Sequence, residues 1–417
     1  MDRILITGGR RLTGTVRVSG AKNAALPILA STILAGGECL ITNLPAVVDV
    51  TTMGKLLKIL GASIHAEPGR VAINLTALHS AEAPYDLVRT MRASVLVLGP
   101  LVARWGEATV SLPGGCAIGT RPVNFHLAGL EKMGAEVRIE HGYIKAKAAR
   151  LRGARICLDQ PTVTGTENLM MAACLAEGTT VIENVAKEPE IVDLAAFLVK
   201  RGARIAGAGT DMITVDGVEQ LRGADHEVIP DRIETGTFLA AGAITGGDVC
   251  VEGCNPGHLE AVIGKLRETG SEIVEGKESL RITSPRRPTG ADVKTFPHPG
   301  FPTDMQAQMM ALMCVADGPS VITETVFESR FIHVPELRRM GADIKVDGNH
   351  AVVNGTAALT AAPVMASDLR ASAGLILAGL AAEGTTEVSR VYHLDRGYER
   401  IEQKLGGLGA DIRRVKA

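Results

Sequence analysis

The chain has 417 residues, of which 46% are apolar and 22% charged, and its formal net charge is -2. This length is too great for one core, so we expect two domains of ordinary globular composition. The near-neutral charge gives no attraction for polyanions and the 3% aromatic content leaves few rings on which bases could stack, which excludes nucleic acid as a partner.

The first residues show no export signal, because no apolar stretch followed by small residues comes after Met1. The longest apolar stretch, 93–103, is well short of the roughly 20 residues that span a bilayer. The seven cysteines are odd in number and form no metal-ligand cluster, as is typical of reduced thiols. The sequence therefore predicts a soluble cytoplasmic protein with no membrane partner, no metal and no cofactor.

A repeated pattern organises the chain: an apolar helix, then Gly-Ala, then a strand rich in Ile and Val. It recurs six times at intervals of roughly 70 residues, and its glycines are Gly61, Gly134, Gly202, Gly270, Gly341 and Gly409. An earlier glycine in each unit is expected to end a helix in the left-handed conformation: Gly37, Gly106, Gly178, Gly247, Gly318 and Gly384. Each unit thus predicts a helix, a strand, a second helix and two further strands, which is an α/β pattern.

The last repeat lacks its final strand, and the segment 4–16 resembles the end of the third repeat, 213–224. We therefore expect residues 1–21 to complete the unit formed by the C-terminal residues. One such unit cannot bury its apolar face alone, so several must pack together. Two groups of three predict one domain at 22–229 and another at 1–21 plus 230–417, with a hinge and a cleft where the chain crosses twice. A single ring of six units is the alternative.

The starts of the first helices are polar where a scaffold needs only a simple cap. Four of them carry a cation, at Lys22, Arg92, Arg232 and Arg370. Helix N-termini have free N–H groups and partial positive charge, so several of them together predict an anion site. The alternative is that each is an exposed cap.

The second repeat is about four residues longer than most of the others, around 112–122. Its glycines and proline predict a mobile loop with Cys116 at the apex. A thiol held near Lys or Arg can act as an acid or a nucleophile, the alternative being an idle turn.

Arg121 and Arg396 occupy the same position in the second and sixth repeats, thirteen residues before the Gly-Ala glycine. The planar guanidinium suits phosphate and carboxylate, although a surface ion pair is the alternative for each. Asp304 opens the first helix of the fifth repeat. Among so many cations its carboxylate should stay ionised, ready to orient or deprotonate a hydroxyl; an N-cap is the alternative.

Four segments carry a resemblance to a known family: 20–25, 112–122, 301–308 and 395–400. On these segments the chain resembles the UDP-N-acetylglucosamine 1-carboxyvinyltransferases, and the match extends over its whole length. The resemblance implies two domains, each a pseudo-threefold inside-out α/β barrel, in agreement with six repeats.

The reaction that the resemblance implies is transfer of the enolpyruvyl group of phosphoenolpyruvate to the 3-hydroxyl of UDP-N-acetylglucosamine. Phosphate leaves by addition and elimination, and the step is the first committed one of peptidoglycan synthesis. Cys116 would protonate the methylene carbon, form an adduct with phosphoenolpyruvate and be the target of fosfomycin. Asp304 would take the hydroxyl proton.

The same resemblance assigns the binding residues. Lys22, Arg121 and Arg396 would hold phosphoenolpyruvate, and Asn23 would approach the sugar. The residues that would line the UDP-sugar site are Arg92, Arg121, Pro122, Val123, Asn124, Phe125, Thr162, Val163 and Val326. Asn124 and the segment 159–162 depart from the family pattern, which bears on nucleotide contacts and not on the reaction.

Two other functions fit parts of the sequence. The sister enzyme that transfers enolpyruvyl to shikimate 3-phosphate shares the fold but lacks the cysteine loop. A non-catalytic sugar-nucleotide sensor is the second alternative. The joint presence of Lys22, Cys116, Asp304 and Arg396 argues against it, because a silent protein needs no such set.

Overall fold

The structure is a computed structural model that describes residues 2–112 and 123–416. These residues divide into two compact units, called here unit I (20–112 and 123–229) and unit II (2–19 and 230–416). We propose that the two units are the domains for which the sequence predicts the bounds 22–229 and 1–21 plus 230–417.

Short strands make up much of both units. Within the described ranges there are 24 of them: β1 (Arg3–Thr7), β2 (Thr13–Arg17), β3 (Cys39–Thr42), β4 (Ser63–Glu67), β5 (Arg70–Asn74), β6 (Glu82–Ala83), β7 (Glu107–Ser111), β8 (Glu136–Glu140), β9 (Tyr143–Lys147), β10 (Arg155–Cys157), β11 (Thr179–Glu183), β12 (Arg204–Ala206), β13 (Met212–Asp216), β14 (His226–Glu227), β15 (Asp248–Glu252), β16 (Glu272–Glu275), β17 (Ser279–Thr283), β18 (Val293–Lys294), β19 (Pro319–Thr323), β20 (Asp343–Asp347), β21 (His350–Asn354), β22 (Pro363–Met365), β23 (Thr385–Ser389) and β24 (Asp411–Val415).

Helices alternate with these strands. The part of the chain that the structure describes has 13 α-helices: α1 (Lys22–Ser31), α2 (Val48–Leu60), α3 (Tyr85–Val88), α4 (Leu98–Trp105), α5 (Asn124–Lys132), α6 (Val163–Ala173), α7 (Pro189–Lys200), α8 (Arg232–Ile244), α9 (Glu260–Glu268), α10 (Gln306–Met313), α11 (Val334–Arg339), α12 (Leu369–Ala381) and α13 (Ile401–Gly407). Short 3-10 helices occur at Thr32–Leu34, Arg92–Val97, Pro256–His258, Thr303–Met305 and Val391–Arg396.

The described strands form six four-stranded sheets, one for each predicted repeat. Unit I contains the strand orders β14-β3-β5-β4, β6-β7-β9-β8 and β10-β11-β13-β12. Unit II contains β22-β23-β1-β24, β16-β17-β15-β2 and β18-β19-β21-β20. Every sheet combines one parallel pair with two antiparallel pairs, as in β10, β11, β13 and β12. The prediction of an α/β fold with six repeats, three in each unit, is confirmed.

The N-terminal segment completes the last repeat only in part. β1 lies between β23 and β24, with Ile4 opposite both Val388 and Arg414. β2 instead pairs in parallel with β15, with Thr15 opposite Cys250. The prediction that all of residues 1–21 complete the last repeat is therefore wrong for β2, although β2 lies in unit II. The reason is the repeat itself, because the strand that follows each hairpin crosses to another sheet, as β10 does after β9.

The helices occupy the centre of each unit because the first helix of a repeat is mostly apolar and has no exposed polar face. All 13 residues of α8 are buried, and the same holds for the last eight residues of α1. A helix without a polar face must be covered all round, whereas a strand such as β11 buries alternate residues. Helices inside and sheets outside satisfy both patterns, which is the inside-out arrangement expected.

One of the predicted helix-ending glycines is wrong. Gly246, with a φ of 60°, takes the left-handed conformation predicted for Gly247. Gly247 is needed for a different reason, because a Cβ there would lie 2.4 Å from the carbonyl oxygen of Leu12. Two successive glycines satisfy both demands.

A buried charge cluster anchors the segment where unit II gives way to α1. Glu234 on α8 accepts a hydrogen bond of 2.6 Å from the backbone N–H of Ser19, and the Lys404 ammonium donates to its other oxygen at 2.7 Å. Lys404 also donates to the Ser19 hydroxyl, at 2.8 Å. Burial raises the pKa of Glu234, and Lys404 acts in the opposite direction.

Among residues 2–112 and 123–416, no helix combines the length and apolar character that a bilayer span requires. The cysteines in these ranges are all free thiols.

Candidate active site

The start of α1 carries two of the predicted substrate-binding residues. Lys22 is its first residue and Asn23 its second, and Ala21 makes no side-chain cap. The Lys22 ammonium lies 3.4 Å from a carboxylate oxygen of Asp49 on α2, and the two side chains are 11% and 4% exposed. The salt bridge holds the ammonium beside the helix start, where free N–H groups add to its positive charge.

His126 connects α5 with α6 in unit I. It is fully buried; its Nε2 lies 3.4 Å from Oγ1 of Thr164, and its Nδ1 lies 2.8 Å from the side-chain amide nitrogen of Asn168. Because that amide can only donate, Nδ1 is the acceptor and the neutral ring carries its proton on Nε2. The ring orientation is therefore fixed from both sides.

Asn168 extends the connection to the segment that begins with Arg92. Its amide nitrogen also donates to the carbonyl of Val95 at 3.0 Å, and its oxygen accepts from the N–H of Gly99 at 2.6 Å. Asn168 and His126 therefore hold three helix starts together, those that carry Arg92, Asn124 and Thr162.

These three starts contain most of the predicted UDP-sugar contacts. Arg92 begins a 3-10 helix, Asn124 and Phe125 open α5 after Val123, and Val163 opens α6. Thr162 is the N-cap of α6 and its hydroxyl accepts from the N–H of Gly165 at 3.4 Å.

The buried imidazole makes unit I sensitive to acid. Burial, with the charge of Arg92 second, lowers the pKa of His126 from 6.5 to about 4. Between these two pKa values His126 is protonated in the unfolded chain and neutral in the folded one. Its contribution to the free energy of unfolding is therefore fully present above pH 6.5 and is lost as pH falls toward 4. We expect the free energy of unfolding in urea to fall between pH 7 and pH 5 in the unmodified protein. In His126→Gln this fall should be smaller by about 2 kcal/mol.

The control for this prediction is His65→Gln, at an exposed position on β4. It should leave the pH dependence as it is. An equal pH dependence in the His126 variant and the unmodified protein would contradict the assignment of a neutral, buried ring.

In unit II, Asp304 lies between two buried arginines. Arg330 Nη2 donates to Oδ1 at 2.8 Å, and Arg370 approaches Oδ2 with Nε at 3.1 Å and Nη2 at 3.0 Å. The arginine side chains are 4% and 3% exposed and that of Asp304 is 25% exposed. Pro302 is the N-cap of this turn, so the N-cap alternative for Asp304 is wrong. Two guanidinium groups favour the ionised carboxylate, in agreement with the sequence argument.

Arg370 is itself held in a buried network. Burial opposes its charge, but Asp304, together with Tyr398 and Asp231, raises the pKa of Arg370 above its ordinary value. Its guanidinium lies 5.4 Å from the centre of the Tyr398 ring, and the Tyr398 hydroxyl is 2.9 Å from that of Thr237 on α8. A cation this deeply buried and paired cannot move far without unpairing Asp304.

Arg396 ends the 3-10 helix Val391–Arg396, which packs against α12. Its neighbour Asp395 accepts two hydrogen bonds from Arg414 on β24, at 2.9 and 2.5 Å, and Arg414 also donates to Glu402 at 3.1 Å. The hydrogen bonds to Asp395 raise the pKa of Arg414 above its ordinary value. The last strand of unit II thus fixes the turn that carries Arg396.

Val326 lies in an exposed turn after β19, and Arg330 follows it by four residues. Arg330 is a functional candidate that the sequence argument missed, because it lies eleven residues before its Gly-Ala glycine instead of thirteen. His126 and Asn168 were missed as well, since each looks like an ordinary residue of its helix. Cys116, Arg121 and Pro122 lie outside the described residues.

Metal ligands are absent from the described ranges, where no group of three or more His, Cys, Asp or Glu side chains is placed to hold an ion. The charged groups of each unit instead suit anionic organic substrates, because cations and helix starts occur together.

Comparison with known proteins agrees with this chemistry. Residues 6–405 match the model of the EPSP synthase family, described as 3-phosphoshikimate 1-carboxyvinyltransferase. The chain is 63% identical over 422 residues to the UDP-N-acetylglucosamine 1-carboxyvinyltransferase of Anaeromyxobacter sp. (strain Fw109-5), and 60% identical over 416 residues to that of Geobacter metallireducens (strain ATCC 53774 / DSM 7210 / GS-15). Each comparison covers 100% of both chains.

The chain belongs to the UDP-N-acetylglucosamine 1-carboxyvinyltransferases, within the EPSP synthase family.

Solved structures agree on the fold of this 1-carboxyvinyltransferase family member. The enolpyruvyl transferase NikO from Streptomyces tendae superposes with a TM-score of 0.90 at 28% identity, over 100% of this chain and 99% of that one. EPSP synthase from Acinetobacter baumannii superposes with a TM-score of 0.77 at 20% identity, over 100% of both chains, and supports the fold alone. The family predicted from four sequence segments is confirmed.

Proposed function

We propose that this chain transfers the enolpyruvyl group of phosphoenolpyruvate to the 3-hydroxyl of UDP-N-acetylglucosamine and releases phosphate. The observation that carries the proposal is full-length identity of 58–63% to relatives that bear the name of this activity. The paired cations in each unit support it, because both substrates bring phosphate and one also brings a carboxylate.

The chemistry is an addition followed by an elimination. The 3-hydroxyl oxygen forms a bond to C2 of phosphoenolpyruvate and loses its proton, while C3 gains a proton and becomes a methyl group. The tetrahedral adduct then loses phosphate from C2 and a proton from C3, which restores the double bond in the product. Catalysis requires an acid for C3, a group that receives or orients the hydroxyl proton, and cations for the phosphate and carboxylate.

We assign these roles to the following residues. Cys116 serves as the acid for C3 and forms the adduct with phosphoenolpyruvate. Asp304 orients or deprotonates the hydroxyl, and its two arginine partners support orientation by keeping it an acceptor. Lys22, Arg121 and Arg396 bind the phosphate and carboxylate of phosphoenolpyruvate.

The sugar nucleotide is assigned to helix starts and to the turn that carries Val326. Its contacts are Asn23, Arg92, Pro122, Val123, Asn124, Phe125, Thr162, Val163 and Val326. The His126–Asn168 connection supports this assignment, since it holds three of those helix starts in fixed relation.

The test is phosphate release by the purified protein with phosphoenolpyruvate and either UDP-N-acetylglucosamine or shikimate 3-phosphate, with and without fosfomycin. Release with the UDP-sugar alone, abolished by fosfomycin, is the expected result. Release with shikimate 3-phosphate would assign the chain to the sister reaction. If the protein releases no phosphate with either acceptor but still binds the UDP-sugar, only the sensor function remains.

A further inference from the structure

The Glu324 carboxylate, directly after β19, accepts four hydrogen bonds. It is buried, with 2% of the residue exposed. Oε1 accepts from the Thr295 hydroxyl at 2.7 Å and from the N–H groups of Val326 and Phe327 at 2.8 and 3.2 Å. Oε2 accepts from the Thr303 hydroxyl at 2.8 Å. One side chain thus fixes two segments, the turn of Val326 and the turn of Thr303.

Both of these segments contact Arg330. The Thr303 hydroxyl accepts from Arg330 Nη1 at 2.9 Å, and the guanidinium lies 5.2 Å from the centre of the Phe327 ring. Arg330 Nη2 is the group that donates to Asp304. A chain of contacts therefore runs from Glu324 through Thr303 and Phe327 to Arg330, and from there to Asp304.

We infer that Glu324 is a positioning residue for the reaction: it fixes the direction of Arg330 and Asp304 through Thr303, and the turn of Val326 directly. The inference rests on the proposed roles of Asp304 and Val326. Glu324 itself contacts no reacting group in this assignment, so its effect is transmitted through the residues it holds.

The geometry requires a carboxylate rather than an amide. An ionised carboxylate only accepts, and every partner of Glu324 is a donor. A glutamine would keep an oxygen for one side but turn an NH₂ group toward the Thr303 hydroxyl. That hydroxyl could then no longer donate to residue 324 and would have to accept from it as well as from Arg330, with its own proton left without this acceptor.

The experiment compares steady-state kinetics of Glu324→Gln, Thr303→Val and the double variant, with Glu328→Gln as an exposed control from the same turn. We expect Thr303→Val to lower kcat about tenfold with little change in the KM for UDP-N-acetylglucosamine. Glu324→Gln should lower kcat by a similar factor and also raise that KM about tenfold, because a neutral amide oxygen accepts from the N–H groups of Val326 and Phe327 more weakly than a carboxylate does. The double variant should have a kcat no lower than that of Glu324→Gln, since both changes break one connection.

The result that overturns the inference is a Glu324 variant whose kcat and KM both stay within twofold of the unmodified protein, or a double variant in which the two kcat effects multiply. Thr303→Val keeps the inference testable if Glu324→Gln does not fold, because an unchanged kcat in it breaks the proposed connection. An unmodified protein without transferase activity would contradict the proposed function instead, and so the two failures are distinguishable.

Discussion

Asp304→Asn is expected to lower kcat by about 10²–10⁴ and to destabilise unit II. The asparagine keeps the size of the side chain but removes the charge that faces two arginines, each with less than 5% of its side chain exposed. Removing one partner of a buried ion pair costs about 3–5 kcal/mol, because the remaining charges stay buried without compensation. Steady-state phosphate release and urea unfolding measure the two effects.

The control for Asp304 is Asp317→Asn. Asp317 also lies opposite an arginine, but its side chain is 79% exposed and the distance is 3.7 Å, so the change should stay within about 1 kcal/mol. A variant at position 304 that is destabilised yet keeps its kcat within twofold would show that the carboxylate only supports the fold.

Lys404→Met is expected to lower the free energy of unfolding by about 3–5 kcal/mol at neutral pH. The change leaves Glu234, with 3% of its side chain exposed, without its cation. The pKa of Glu234 is already raised by burial and rises further in the variant. When a carboxyl group has a higher pKa in the folded protein than in the unfolded chain, the protein loses stability as pH increases from the unfolded pKa to the folded pKa. The loss should therefore be larger at pH 8 than at pH 5.

Unfolding in urea at both pH values tests this, with two companion variants. Glu234→Gln combined with Lys404→Met should recover most of the loss, since neither of the two side chains then carries a charge. Lys265→Met removes an exposed ammonium 2.7 Å from Glu268 and should change stability by less than about 1 kcal/mol. A Lys404 variant with the same deficit at pH 5 and pH 8 would assign its effect to lost packing and not to the charge of Glu234.

The repeat architecture could be predicted from the sequence because it depends on local rules. Gly61 and its five counterparts all take a positive φ in the structure, as a turn between helix and strand demands. The apolar first helices indicated which elements lie inside. The assignment of β2 failed because the strand that follows each hairpin crosses to another sheet, and the alternation of residues along a strand does not show that crossing.

The candidate site could be predicted only where chemistry appears in the side chain itself. Lys22, Asp304 and Arg396 stand out as charges at helix starts or in a repeated position. Arg330 and Glu324 acquire their importance from hydrogen bonds between segments about 30 residues apart. Such partners are visible only after folding.

The position of β1 determines how late its sheet can form during synthesis on the ribosome. Thr7 and Thr385, whose hydroxyl groups are 3.1 Å apart, are separated by 378 residues along the chain. At about 5–20 residues per second, β1 emerges on the order of tens of seconds before β23 and β24 exist. By then all of the strands described for unit I have been made, the last of them β14. During synthesis the apolar side chains of Ile4 and Ile6 have no sheet to enter, so the nascent N-terminal strand stays unpaired until β23 and β24 have been made.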